Sequence, residues 1–152
     1  MKVKDLMTND VKTCQPQDSL NVAAKLMWDG DIGSVVVVNE GRRVLGMITD
    51  RDITMSALLQ RRPLGEIFVK DAMSSGAWCC SQSTEVDEAE KVMAQHQVHR
   101  LPITGADGRL SGILSVNDLA QAADHRPGVS AKDVTTTLRA VSAPRHLLLT
   151  AR

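Results

Sequence analysis

The chain has 152 residues, 43% hydrophobic and 24% charged, the balance of a globular protein with one domain or two small halves sharing a core. Lys plus Arg and Asp plus Glu number 18 each, so the summed charge gives no reason to expect nucleic acid or a membrane surface as partner. No apolar run reaches bilayer length, MKVKDLMTND has no signal-peptide core, and three cysteines make no paired disulfide framework; a cytoplasmic protein is expected. Phe68, Trp28 and Trp78 are the aromatic residues, so a flat ligand has to lie against aliphatic side chains and backbone.

In chain order, VKDLM at Val3–Met7 precedes a short extended piece, VKTC, ending at Cys14. Leu20, Ala23 and Met27 then fall on one helical face, and Gly30 and Gly33 break that helix. The β-branched run Val35–Val38, a turn at Asn39-Glu40-Gly41 and a second run from Val44 to Thr49 read as two strands. A short helix, ITMSALL, follows Asp52. VKDAM then begins at Val69, a shift of 66 residues (69 − 3), and the whole order returns without a gap as far as Asp118. AWCC stands for VKTC, LPIT and LSGILS for the two strands, and LAQAA for the last helix. Thr84 and Asp87 resemble a capping pair, with Val86, Ala89 and Met93 as the buried face. Register held this long means internal duplication. The expected fold is α+β (α/β), two β-α-β-β-α repeats over 1–62 and 63–124, each too small for a good core alone and packed against the other with pseudo-twofold symmetry.

Residues 125–152 differ. Pro127 and Gly128 mark a linker, Ser130 is placed to cap a helix with Val134, Leu138 and Val141 on one face, and Pro144 should end it. An amphipathic tail packed on the core or on a second subunit, or a frayed terminus, both fit this pattern.

The repeated motif, GMITDRD at Gly46–Asp52 and GILSVND at Gly112–Asp118, carries the chemistry. Thr49 and Ser115 are placed as N-caps, with Asp52 and Asp118 three residues on, where an acid reaches back to the cap amide. The same geometry suits a ligand. A helix N-terminus presents free amides to a phosphate, a hydroxyl stands beside it, and a carboxylate accepts from two ribose hydroxyls. Arg51 adds counter-charge in the first copy, where the second has Asn117.

With the V-x-D-x-M openings and the H-R-L-P segment His99–Pro102, these paired motifs resemble a tandem pair of cystathionine β-synthase (CBS) domains, a Bateman module, over about Val3 to Ala123. The resemblance implies two clefts between the packed repeats, each able to take an adenosine-containing ligand such as AMP, ATP, NAD or S-adenosylmethionine. Ribose would go to Asp52 and Asp118, and phosphate or the near ribose edge to Thr49 and Ser115. The base would lie between Thr13-Cys14 and Ile32, Gly33, Ser34, Val35 and Val36 in one cleft. In the other it would lie between Cys79-Cys80 and Val98, His99, Arg100, Leu101 and Pro102. Pro102 is absent at the equivalent Val36, so the two clefts are expected to differ in shape.

An enzyme is not expected. The chain has no G-x-x-x-x-G-K-[ST], H-E-x-x-H or G-x-S-x-G, and no catalytic cofactor is implied. Cys79 and Cys80 are adjacent and face opposite ways in a strand, and a helix end near His99 spoils the His96–His99 spacing for a metal. Cys14 and Cys80 read as small buried apolar residues. Two functions of different class remain: a regulatory binding module signalling to an unidentified protein, or an assembly protein whose acids only cap helices. Apolar positions in the short helix Ile53–Leu59 point to a homodimer in either case.

Overall fold

The computed structural model describes residues 1–144; the last eight residues of the tail lie outside the described part. The architecture is α+β, with two three-stranded sheets in the orders β1-β2-β3 and β4-β5-β6. The elements are β1 (Thr13–Cys14), α1 (Leu20–Gly30), β2 (Ser34–Val38), β3 (Val44–Thr49) and α2 (Asp50–Gln60). Their repeats are β4 (Cys80–Ser81), α3 (Val86–His96), β5 (Arg100–Thr104), β6 (Leu110–Ser115) and α4 (Val116–Ala122), and α5 (Ala131–Val141) follows. Among the described residues no helix is long and apolar enough to cross a membrane.

The chain divides into two compact units whose bounds cut across the sequence repeats. One contains residues 10–77 and 107–110; the other contains 1–9, 78–106 and 111 onward. In the unit around the first repeat, β1 runs parallel to β2 and β2 antiparallel to β3, with Thr13 opposite Val36 and Ser34 opposite Thr49. Alternation along β2 sends Val35 and Val37 into a core with Cys14, Leu20, Ala23, Met27, Ile48 and Ile53. In the unit around the second repeat, Val86, Ala89, Met93, Leu101, Ile103, Leu114 and Leu119 form the matching core.

The opening segments belong to the opposite repeat's unit. Val69, at the head of VKDAM, donates its N–H to Asp18 O at 2.8 Å, and Ser74 N–H donates to Met47 O at 3.0 Å. The bonds recur with the donors 66 residues earlier and the acceptors 66 later: Val3 N–H donates to Thr84 O at 2.9 Å and Thr8 N–H to Ile113 O at 2.9 Å. Each segment therefore runs along a strand it does not precede in its own repeat.

Two local expectations are corrected. Glu85, not Thr84, is the N-cap of α3, its N–H bonded to Glu88 Oε2 at 3.3 Å, while Thr84 Oγ1 accepts from Ser81 N–H at 3.2 Å. Glu85 is drawn to that place by the N-terminal ammonium of Met1 at 3.0 Å and by Lys2. In the tail, Ser130 does cap α5, accepting from Asp133 N–H at 3.1 Å, and the helix packs on α3 and α4. Its buried stripe is Val134, Thr137 and Val141; Leu138 is 47% exposed.

Candidate functional site

Each motif begins on a strand and turns into a helix. Thr49 caps α2 and Ser115 caps α4 with extended φ, ψ values, because an N-cap stays outside the helix while its oxygen serves the helix amides. Thr49 Oγ1 accepts from Asp52 N–H at 3.1 Å, and Asp52 Oδ2 accepts from Thr49 N–H at 2.9 Å. Ser115 Oγ accepts from Asp118 N–H at 3.2 Å, and Asp118 Oδ2 accepts from Ser115 N–H at 2.7 Å. Among the described residues, every hydrogen bond of these two carboxylates uses Oδ2. Oδ1 of each is left open beside a helix N-terminus.

The two copies differ in one proton. The Ser115 hydroxyl donates to Asp118 Oδ2 at 2.6 Å, so its hydrogen is committed within the motif. Thr49 Oγ1 accepts from Asp52 N–H, and among the described residues no matching donation to the Asp52 carboxylate occurs. Arg51 is exposed in the first turn of α2, where α4 has the neutral, exposed Asn117.

Backbone bonds join each motif to the strand before it. Asp50 N–H donates to Gly33 O at 3.1 Å and Val116 N–H to His99 O at 3.0 Å, so Gly33-Ser34 meets Thr49–Asp52 and His99-Arg100 meets Ser115–Asp118. Val36 carries the ladder across to β1, its N–H directed to Lys12 O at 3.4 Å. At the equivalent place Pro102 has no N–H to give to Trp78. Pairing in the second copy accordingly starts one residue later, with Cys80 opposite Ile103, while Thr13 in the first copy is already paired. Cys79, exposed, is thereby outside β4, and Cys80 is buried.

Ser34, Val35, Val36, Leu101 and Pro102 are buried, whereas Ile32 and His99 are exposed and Thr13, Val98 and Arg100 half-buried. Cys14 lies in the core, and burial, then the nearby Asp18 carboxylate, push its thiol up to about 12; the Cys80 thiol is raised chiefly by burial as well. Neither is set to act as a thiolate nucleophile. α3 ends at His96, which stacks on Trp78 with ring centroids 3.5 Å apart, and His99 lies beyond the left-handed Gln97. No group of three or more His, Cys, Asp or Glu fit to hold a metal occurs among the described residues.

The motif glycines have a role that residue spacing did not reveal. A Cβ on Gly46 would stand 2.1 Å from Ser74 O and 2.7 Å from Met73 Cε; one on Gly112 would stand 2.5 Å from Met7 Sδ and 3.1 Å from Thr8 O. Only a residue without Cβ lets the crossing VKDAM or VKDLM segment lie against the strand. A second feature is a groove of about 430 Å³ between α1 and α2, lined by Ala24, Met27, Trp28, Asp31, Ile32, Gly33, Asp50, Ile53 and Thr54.

Comparison with known proteins agrees with this geometry. The CBS domain family matches residues 3–58 and 69–125. The CBS domain-containing protein YhcV of Bacillus subtilis is 38% identical over 118 residues, covering 78% of this chain and 82% of YhcV. Two solved structures share the fold at 23% identity: CBSX2 in complex with AMP, with a TM-score of 0.68, covering 80% of this chain and 94% of that one; and the CBS domain pair of protein MJ0100 with 5'-methylthioadenosine and S-adenosyl-L-methionine, with a TM-score of 0.71, covering 80% and 98%. With the family matched over both repeats and each repeat holding one of the two motifs, the chain belongs to the CBS domain family and carries two CBS repeats.

Proposed function

We propose that this protein is a non-catalytic regulatory module that binds an adenosine-containing ligand at its repeated motif, pairs as a homodimer and passes the bound state to a partner protein in the cytoplasm. The observation that carries the reading is the open Oδ1 of Asp52 and Asp118. In each motif Oδ2 serves the helix cap, and the second oxygen faces the acceptor's task that a ribose hydroxyl pair requires. AMP bound to CBSX2, and methylthioadenosine and S-adenosylmethionine bound to MJ0100, support the ligand class.

The first motif narrows the class further. The Thr49 hydroxyl, the α2 amides and Arg51 favour a phosphorylated ligand, AMP, ATP or NAD, over cationic S-adenosylmethionine.

The competing reading, an assembly protein whose acids are caps alone, draws on the completeness of both capping boxes without any ligand. Thermal unfolding with AMP, ATP, NAD and S-adenosylmethionine separates the two. A ligand at a hundred times Kd raises stability by about 2.7 kcal/mol. A rise with the phosphorylated compounds is expected; no rise with any of the four contradicts the ligand reading.

A further inference from the structure

α5 lies outside the two matched repeats and covers the second, packing across α3 and α4 with Val134 and Val141 in the core that contains Met93 and Leu119. It is tied at both ends. Ala131 N–H donates to Asp124 Oδ1 at 3.1 Å, and Gln97 Nε2 donates to Ala140 O at 3.1 Å and to Ala143 O at 3.2 Å. Between these ends the seam holds a carboxyl group. Glu90 stands seven residues before Gln97 on α3, two turns along the same stripe, and so faces α5. It is 6% exposed, and its Oε1 is buried without a hydrogen-bond partner. Its equivalent 66 residues earlier is Ala24, only half-buried where no helix covers α1.

The charges around Glu90 have the wrong sign or another partner. Asp133 on α5 and Asp87 on α3 both oppose its ionisation. Lys91 on α3 is paired with Asp87 at 3.2 Å, and Lys132 and Arg139 of α5 are exposed. From α4, Leu119 and Ala122 join the same core, while Asp118 is held in the Ser115 cap. Asp133 is fixed in place by the α5 cap, where the Ser130 hydroxyl donates to its Oδ2 at 2.6 Å. Among the described residues no cation pairs with Glu90.

We propose that α5 is a proton-latched cover: it closes most firmly on α3 and α4 when Glu90 carries a proton, and loss of that proton loosens it. A neutral carboxyl enters an apolar seam at far lower cost than a carboxylate, and a carboxylate here also faces two others. Lifting α5 returns Glu90 to water, where both forms are solvated. The covered state therefore holds the proton more tightly than the lifted one, and by the same linkage deprotonation favours lifting. Burial, then Asp133 and Asp87, raise the covered carboxyl from its ordinary 4.5 to about 6. Below 4.5 both states are protonated and above about 6 both are ionised, so the opening equilibrium changes only across that window. The difference corresponds to about thirtyfold over the whole window and about tenfold between pH 5 and pH 8. Rising pH thus exposes the apolar face of α3 and α4 more often. The first repeat, with alanine at this place, has no such latch.

Residue-resolved amide hydrogen exchange on the full chain and on Glu90→Gln tests this, with rates corrected for the intrinsic pH dependence of exchange. In the wild type the α5 amides should open more readily than those of β5 at every pH, so that the helix lifts while the repeat stays folded. Their opening constant should rise about tenfold from pH 5 to pH 8. In Glu90→Gln, which keeps the shape of the protonated acid, α5 should stay closed at pH 8 as firmly as in the wild type at pH 5, with no dependence on pH. A second reading needs no variant: the side-chain carboxyl carbon resonance of Glu90 should titrate with its midpoint near 6. A flat wild-type profile, a Glu90→Gln profile that rises like the wild type, or a Glu90 midpoint near 4.5 would each overturn the latch. So would α5 amides no more labile than those of β5, since the cover would then open only when the repeat unfolds.

Discussion

The two repeats share one plan and differ where each meets its surroundings. The first leaves its helix pair open, with Trp28 exposed at the groove; the second covers the same face with α5. The first has Thr49 accepting from Asp52 beside Arg51; the second also commits the Ser115 hydrogen to Asp118, beside Asn117. Duplication gives a chain two equivalent plans, and a few substitutions then make them differ, one helix pair open and the other covered.

The largest effect should come from removing the cover. Ending the chain after Gly128 deletes Val129, Val134 and Val141, all buried against the second repeat. Full burial of a valine contributes roughly 1.5–3 kcal/mol, so a net loss of about 3–5 kcal/mol is expected after the entropy of ordering the helix is set against it. Chemical denaturation measures this directly. An unchanged midpoint would mean that α5 adds nothing and that the two helix faces are alike.

Next are the motif glycines. Gly46→Ala sets a methyl against the Ser74 carbonyl, a backbone atom with little room to move, and should cost about 3 kcal/mol. Gly112→Ala meets the flexible Met7 side chain first and should cost less, about 1–2 kcal/mol. Equal losses in thermal unfolding would contradict the difference between the two crossings.

The smallest effect concerns Glu90, which stands under α5 where the first repeat has Ala24. Its carboxyl is buried with Oε1 unpaired, and burial, then the Asp133 and Asp87 carboxylates, raise it to about 6. Between its ordinary value of 4.5 and about 6 the folded chain retains a proton that the unfolded chain has released, so Glu90 lowers stability as pH rises through that window. Glu90→Gln should therefore stabilise the protein by about 1 kcal/mol at pH 7–8, with the gain fading as pH falls toward 4.5. A gain that does not vary with pH would assign the effect to packing.

Much of this was legible in the residues. Alternation and turn chemistry placed Val44–Thr49 and Leu110–Ser115 at their observed bounds, because strands between a turn and a capping box have both ends marked. The T/S-x-x-D caps were legible for the same reason, being short-range and tied to residue type. The crossing of Val3–Met7 and Val69–Met73 was not, since nothing local says which strand an opening segment will follow. The tail showed a helix but misplaced its face: Thr137, a polar residue, is buried, and Leu138 is turned out. An amphipathic pattern gives a stripe only to within one position when apolar residues are few. Cap geometry alone also left the ligand question open, because a capping carboxylate and a ribose-binding one are the same residue at the same spacing.

Titration calorimetry with AMP on the wild type, Asp52→Ala, Asp118→Ala and the double variant tests the central claim most directly. Hydrogen bonds to a charged group contribute roughly 1.5–3 kcal/mol, so each loss should weaken its own site about tenfold to a hundredfold. On the proposed reading the first motif takes the phosphate, so Asp52→Ala should weaken the tighter event and Asp118→Ala the weaker, with neither variant unfolded. AMP bound by the double variant with wild-type affinity would reduce both acids to helix caps and contradict the account.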